Sequence, residues 1–236
     1  MFIDFLKKPS TLYFESDKTI SIWKDCFNMI LIVIMFTFLL GVAYTLITAI
    51  VNMSFEDLYP DNFDHNLKSF KKSVPFPALW IIVLGPIYEE ISFRLGLSFK
   101  KGHFIISVLL IFFFLTGGDL IYSAPAIHYV LETAIRLSIL LILFFISNKY
   151  ITQNHIDYLK DHHSDLIVYL FASIFAILHV TNYFPFELRD SLFYLVIMAL
   201  IFIRAMALSY LRVKYGLLYA MLFHMVINFI SYSAPL

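Results

Sequence analysis

The sequence contains a single cysteine, Cys26, among 236 residues. One cysteine excludes an intramolecular disulfide and a cysteine-based metal framework. Charged residues are also scarce, at 14%, and they are balanced, with 17 Lys and Arg against 17 Asp and Glu. The net charge therefore gives no indication of a nucleic-acid or acidic partner, and we expect no nucleic acid among the partners.

Apolar residues make up 61% of the chain, and the mean hydropathy is +0.82. A soluble domain of this length is normally about half apolar. The excess lies in long runs, which predicts membrane spans, and a backbone in lipid must satisfy its own hydrogen bonds, which predicts helices. The predicted fold class is all-α, a polytopic transmembrane helical bundle of about seven spans embedded in the lipid bilayer.

The seven candidate spans cover about residues 26–51, 77–97, 103–115, 127–147, 165–182, 190–211 and 216–232. The third is short and ends at Gly117-Gly118, so whether it forms a full span is open. The polar stretches 52–76 and 148–164 are predicted loops.

Residues 1–25 mix charged and apolar residues without the pattern of a signal peptide. Two interpretations stay open for them, an attached cytoplasmic or interfacial lead-in and a disordered tail. Residues 26–236 are predicted to form the transmembrane helical domain.

The distribution of Lys and Arg between loops predicts the orientation. With the N-terminus inside, eleven basic residues lie inside: Lys7, Lys8, Lys18, Lys24, Arg94, Lys100, Lys101, Lys149, Lys160, Arg212 and Lys214. Four lie outside: Lys68, Lys71, Lys72 and Arg189. We therefore expect a multi-pass integral membrane protein with a cytoplasmic N-terminus, and the composition favours a bacterial cell membrane.

Ionisable residues within membrane spans are costly and usually mark a functional site or a specific partner. Glu89 and Glu90 lie in the second run, after Gly85-Pro86. Arg94 follows Glu90 by four residues, so the two share a helix face and are predicted to pair, whereas Glu89 points about 100° away. A free carboxylate in a low-dielectric site suits general acid or base catalysis. The alternative is a structural ion pair between helices.

Polar residues also occur in later runs. His179 lies near the end of the fifth run, where it is either an interfacial hydrogen-bonded residue or a catalytic one. His224 and Asn228 are four residues apart, so they either stabilise an oxyanion or form an interhelical hydrogen bond. In the fourth run Glu132 and Arg136 are predicted to pair, with His128 one turn earlier. Arg204, in the sixth, needs a carboxylate, carbonyl groups or an interface.

Three of these motifs together resemble the CPBP family of CAAX prenyl endopeptidases and bacteriocin-processing proteins, also called Abi. The family pattern is Glu-Glu-x-x-x-Arg, then Phe-x-x-x-His, then His-x-x-x-Asn. Here the motifs are Glu89-Glu90 to Arg94, Phe175 to His179, and His224 to Asn228, in that order, over roughly residues 77–232. The resemblance implies an intramembrane endopeptidase acting on a membrane-associated peptide or protein.

The resemblance also implies roles for these residues. Glu89 and His179 would activate water, His224 and Asn228 would hold the oxyanion, and Glu90, Arg94 and Phe175 would support the site. The family is often labelled metalloprotease, and a zinc ion would take Glu89, His179 and His224. No His-Glu-x-x-His motif is present, and Asn228 suits an oxyanion hole better than a ligand shell. Metal-free chemistry is therefore favoured, no cofactor is certain, and zinc stays possible.

Two other functions remain open at this stage. A non-proteolytic membrane protein, acting in bacteriocin immunity or as a signalling scaffold, predicts that function survives Glu89→Ala and His179→Ala. An ion-coupled transporter could use the same residues as a relay, although the chain shows no repeat of the kind such carriers often have. The substrate and the oligomeric state are not determined by the sequence.

Overall fold

In the computed structural model, the described residues are 2–14, 22–50, 75–116, 126–183 and 186–233. Their main helices are α1 (Phe2–Lys7), α2 (Thr11–Phe14), α3 (Ile22–Ile50), α4 (Pro77–Leu79), α5 (Gly85–Arg94), α6 (Lys101–Thr116), α7 (Ala126–Tyr150), α8 (Gln153–Val180), α9 (Ser191–Tyr215) and α10 (Leu217–Ser233). A π-helical turn (Trp80–Leu84) joins α4 to α5, and a 3-10 turn (Leu95–Ser98) follows α5. The described part of the chain is helical, which confirms the all-α prediction.

Four of these helices are long and apolar enough to cross a membrane: α3, α7, α8 and α9. Helices α6 and α10 are apolar but shorter, and the second predicted span is the segment from α4 to the 3-10 turn. Every predicted run thus coincides with helix, and the molecule is a helical membrane bundle. The Gly117-Gly118 end of the third run lies outside the described residues.

The predicted loop at 148–164 is wrong for most of its length. Helix α8 begins at Gln153, twelve residues before the expected start at Asp165. Thr152 caps it, since its side chain accepts from the His155 backbone N–H while the His155 ring accepts from the Thr152 N–H. This reciprocal cap satisfies orphan donors of the first turn. The polar residues that follow Thr152 therefore form the first part of α8 rather than a loop.

The core lies where α5, α8 and α9 meet. Phe93, Phe171, Phe175 and Met206 are all buried there. By contrast, the most apolar stretches of α3 and α7 have no buried residues. These two helices are therefore peripheral and present their side chains to lipid.

Residues 2–14 fold onto one end of the bundle. The Tyr169 hydroxyl donates to the Leu6 carbonyl at 3.0 Å, and the Tyr13 hydroxyl donates to the Leu97 carbonyl at 3.1 Å. The Asp165 carboxylate accepts from the backbone and the hydroxyl of Ser10, at 2.5 and 3.1 Å. Burial raises the pKa of the Tyr13 phenol, which therefore remains a donor. A disordered tail is thus wrong for these residues, and 15–21 lie outside the described part.

A second group of contacts joins α3 to α9 at the same end. The Asp25 Oδ2 atom accepts from Tyr210 at 2.7 Å, from Tyr215 at 2.6 Å and from Lys214 Nζ at 2.5 Å. Asp25 is 5% exposed and Lys214 9%. We call these four residues the Asp25 cluster. It fixes the start of α3 against the end of α9, next to Met29, which is a buried apolar residue of α3.

Candidate functional site

Helix α5 carries the paired glutamates. Pro86 lies in its first turn, where a missing N–H is tolerated. Glu90 and Arg94 are fully buried, and their Oε1 and Nη1 atoms are 3.3 Å apart. The predicted pairing of these two residues is confirmed. Glu89 points elsewhere, and its side chain keeps 23% exposure.

Arg94 is held by further contacts besides the Glu90 carboxylate. Its guanidinium lies 4.1 Å from the centre of the Phe175 ring, within the range of a cation–π contact. Its Nη2 atom donates to the Ala205 carbonyl at 3.4 Å. Since α8 and α9 supply these two contacts, the charge of Arg94 joins three helices at one point.

His179 occupies the last turn of α8, and its ring orientation is set locally. The Nδ1 atom is 2.8 Å from the Phe175 carbonyl oxygen. A carbonyl only accepts, so Nδ1 carries the proton and Nε2 is left with its lone pair. That Nε2 atom lies 3.8 Å from Glu89 Oε2. The ring therefore presents a proton acceptor to the free glutamate.

His224 comes from α10 and lies between the two glutamates. Its Nδ1 atom is 2.9 Å from Glu90 Oε1, and its Nε2 atom is 3.6 Å from Glu89 Oε2. It is 6% exposed. The Glu90 carboxylate therefore orients this ring, as a second carboxylate orients many functional histidines. Glu89, Glu90, Arg94, His179 and His224 together are called the Glu89 cluster below.

Asn228 lies one turn beyond His224 on α10. Its side-chain Nδ2 donates to the Ile81 carbonyl at 2.9 Å. Ile81 belongs to the π-helical turn before Pro86. Pro86 lacks the backbone N–H that a regular helix would use here, and the π turn lies directly before it. One of the two Asn228 N–H donors is thus engaged with backbone, and the other remains.

Three buried polar atoms of the Glu89 cluster have no hydrogen-bond partner among the described residues. They are Glu89 Oε2, Glu90 Oε2 and Arg94 Nη1. An unpaired buried polar group is unusual, because it loses its hydration without compensation. Glu89 Oε2 is also the atom that both Nε2 atoms face. The cluster is therefore arranged around a point where a further polar group would be bound.

A zinc ion would require His179, His224 and Glu89 as ligands. Bonds of about 2.0–2.1 Å would place the ligand atoms roughly 3.4 Å apart in a tetrahedral site. The two distances to Glu89 Oε2 are 3.6 and 3.8 Å, which are slightly longer. Among the residues that the structure describes, no three His, Cys, Asp or Glu side chains come close enough together to hold a metal ion. The arrangement does not fit a preformed zinc site.

The remaining predicted polar residues lie elsewhere. Glu132 and Arg136 pair on α7 at 2.7 Å, as their spacing predicts, and are partly exposed. The side chain of His128 lies outside the described part. Arg204 lies on α9 and is partly buried. Among the described side chains, no hydrogen bond or ion pair joins Glu132, Arg136 or Arg204 to the Glu89 cluster.

The sequence did not identify the groups behind the site. The Ser107 hydroxyl donates to the Ser92 carbonyl and joins α6 to α5. The Arg212 side chain donates to the Arg94 carbonyl at 3.0 Å. Neither contact follows from residue spacing, although Ser107 is a polar residue within an apolar run.

Comparison of the chain with protein-family models, curated proteins and solved structures finds no match.

Proposed function

We propose that this protein is an intramembrane endopeptidase of the CPBP type, which hydrolyses a peptide bond in a membrane-associated protein or peptide. One observation carries the proposal. Three helices bring Glu89 Oε2 within 3.6 and 3.8 Å of two imidazole Nε2 atoms, inside a bundle of apolar helices. A carboxylate and imidazoles at such range form an acid–base site, and their cost within a membrane favours a functional role.

Glu89 and His179 are suited to activate one water molecule. Both present acceptors, so a water between them donates one hydrogen to Glu89 Oε2 and the other to His179 Nε2. Its lone pairs then face away from both side chains. As the water oxygen attacks the scissile carbonyl carbon, Glu89 accepts a proton. The water donates both protons in these contacts, so the separation of 3.8 Å suits a bridging molecule better than a direct hydrogen bond.

His224 and Asn228 are suited to stabilise the oxyanion. The Nδ1–H of His224 is oriented by Glu90, so His224 donates from Nε2 only when its ring is the imidazolium. Asn228 offers the N–H that Ile81 does not use. When the tetrahedral intermediate collapses, Glu89 returns its proton to the leaving amine. The products are a carboxylic acid and an amine, and one water is consumed.

No step of this mechanism passes through a metal, since the side chains do not fit a preformed zinc site. Glu90, Arg94 and Phe175 act indirectly. Phe175 supplies the carbonyl that orients His179 and the ring over which Arg94 lies. Arg94 balances the charge of Glu90, which in turn orients His224.

We place the N-terminus on the cytoplasmic side of a bacterial cell membrane. Lys7, Lys101, Lys149 and Lys214 support this orientation, because they lie at one end of the bundle. Lys101 Nζ donates to the Asn148 carbonyl at 2.6 Å, and Phe2 packs against Tyr210. The Lys101 contact also makes α6 and α7 antiparallel, as expected if the short third run crosses.

The test compares membranes of cells that express wild type, Glu89→Gln or Glu132→Gln. Glu132 is the matched control, since it is also a glutamate on an apolar helix, but it pairs with Arg136 and lies outside the Glu89 cluster. New peptide termini are identified by mass spectrometry. We expect termini in wild type and Glu132→Gln that are absent from Glu89→Gln. The same set of termini in wild type and Glu89→Gln contradicts the proposal, and a function that survives this substitution then favours an immunity factor or scaffold.

A further inference from the structure

The π-helical turn in front of α5 leaves one backbone carbonyl in need of a donor. In the π register the Gly85 N–H bonds to the Trp80 carbonyl, five residues earlier. The next bond in this register would run from residue 86 to Ile81, but residue 86 is proline and has no N–H. Gly85, which would serve Ile81 in a regular α-helix, is already engaged. Pro86 removes one backbone donor to the Ile81 carbonyl, and the π register engages the other, the Gly85 N–H, elsewhere.

Asn228 supplies that missing donor. Its Nδ2 atom lies 2.9 Å from the Ile81 carbonyl oxygen, across from α10 to the π turn. Because a carbonyl can only accept, this contact fixes which end of the amide faces Ile81. A carbonyl that loses its hydration without gaining a donor is destabilising, so the pairing has a reason to persist.

We infer that Pro86 and the π turn position Asn228. The carbonyl that they set free holds the amide in one orientation and leaves its second N–H available. Pro86 is thus a positioning residue for Asn228 and touches no reacting group. That this second N–H serves the oxyanion rests on the proposed function, whereas the coupling between Pro86 and Asn228 does not.

The end of the same turn lies beside the free glutamate. A Cβ atom added at Gly85 would lie 3.0 Å from the Trp80 carbonyl oxygen and 4.0 Å from Glu89 Oε1. The hydrogen bond between Asn228 and the Ile81 carbonyl joins this turn directly to α10.

The closing experiment is a double-mutant cycle on the full chain in lipid nanodiscs. Melting temperatures are measured for wild type, Pro86→Ala, Asn228→Ala and the double variant. An alanine at 86 gives Ile81 a backbone donor in either helical register. We expect Asn228→Ala to lower the melting temperature by about 2–4 °C in wild type, and by less than about half as much beside Pro86→Ala.

Pro77→Ala is the matched control, because Pro77 also lies in the first turn of a helix but frees no carbonyl toward Asn228. The effect of Asn228→Ala should be unchanged beside Pro77→Ala. An equal loss beside Pro86→Ala and beside wild type overturns the inference. If the melting temperatures show the coupling but no peptide hydrolysis is found, the inference stands and the proposed function is contradicted. The two failures are therefore distinguishable.

The spectroscopic readout is the side-chain amide of Asn228, assigned by its loss in Asn228→Asp. One of its two protons should exchange with water at least about tenfold more slowly than the other in wild type, since only one is bonded to Ile81. In Pro86→Ala this difference should disappear. Two equally fast protons in wild type overturn the inference even if Pro86→Ala does not fold.

Discussion

Two buried polar clusters lie within the same bundle and differ in how their polar atoms are satisfied. In the Asp25 cluster, one carboxylate oxygen accepts from two hydroxyls and an ammonium group, at 2.5–2.7 Å. In the Glu89 cluster, three buried atoms on two glutamates and an arginine have no hydrogen-bond partner among the described residues. The first cluster is held together by its own hydrogen bonds, whereas the second keeps buried polar atoms that packing does not use.

From this difference we expect the Asp25 cluster to contribute to stability and the Glu89 cluster to contribute to the proposed activity. A fully hydrogen-bonded ion pair rigidifies a core, whereas unsatisfied polar atoms cost stability and persist where they serve a purpose. Substitutions in the two clusters should therefore have opposite effects. Those at Asp25 should lower stability and spare activity, while those at Glu89 should spare stability and remove activity.

The largest expected effect is on catalysis by Glu89→Gln. Without a proton acceptor, turnover should fall by about 10²–10⁴-fold, the usual contribution of a general base. The melting temperature should not fall, because Glu89 Oε2 has no hydrogen bond to lose. The measurements are the cleavage rate of a peptide taken from the identified termini and the thermal unfolding of the same sample. A large loss of stability would make Glu89 a structural residue like Asp25.

The largest effect on stability is expected from Asp25→Ala. Removal of one partner of a buried ion pair typically costs about 3–5 kcal/mol, since Lys214 is left charged and buried. The free energy of unfolding is measured by denaturation in detergent, and cleavage is normalised to folded protein. The double variant Asp25→Ala/Lys214→Met is the control, and it should recover part of the loss. Reduced cleavage per folded molecule would show that the clusters are coupled.

An intermediate effect is expected from Gly96→Ala, which tests packing rather than charge. An added Cβ would lie 2.9 Å from Ser107 Cβ and 3.1 Å from a ring carbon of Phe171. Overpacking of this kind usually costs about 1–3 kcal/mol. Gly102→Ala is the control, because nothing lies within 4 Å of its added Cβ. Equal melting temperatures for the two variants would contradict the close approach of α6 to the 3-10 turn.

A smaller effect is expected from Tyr210→Phe. The substitution removes one of the donors to Asp25 and keeps the ring, so unfolding should become easier by about 0.5–1.5 kcal/mol. Tyr219→Phe, at a side chain that is 45% exposed, is the control and should change little. If both substitutions have the same effect on unfolding, the Asp25 cluster does not stabilise the bundle as described.

The smallest effect is expected from chelation. The Glu89 cluster does not fit a preformed zinc site, so cleavage should be unchanged after purified protein is treated with EDTA or 1,10-phenanthroline. Metal content is measured on the same sample by mass spectrometry. Loss of cleavage that returns with added zinc would replace the water-activation mechanism by a metal-based one.

Sequence reasoning succeeded where one helix alone determines the geometry. The pairs Glu90–Arg94 and Glu132–Arg136 follow from a spacing of four, because such residues share a face of any α-helix. It failed where two helices must be placed against each other. Asp25 and Lys214 are 189 residues apart, and no spacing rule relates them.

The approach of His179 to Glu89 could not be predicted for the same reason, because the two residues lie on different helices. It depends on the depth and rotation of α8 against α5, which packing determines and the pattern of apolar residues does not. The start of α8 was also missed, because the polar residues after Gln153 have no apolar run to mark a helix.

The contacts of residues 2–14 have a consequence for the order in which the protein is assembled. Asp165 and Tyr169, which bind Ser10 and Leu6 respectively, are synthesised more than 150 residues after this segment. Contacts of such long sequence separation form late, since a long loop must close before they stabilise anything. Tyr210, against which Phe5 packs, is made later still. Residues 2–14 are therefore synthesised well before their partners, and they reach their final positions only after α9 has been made.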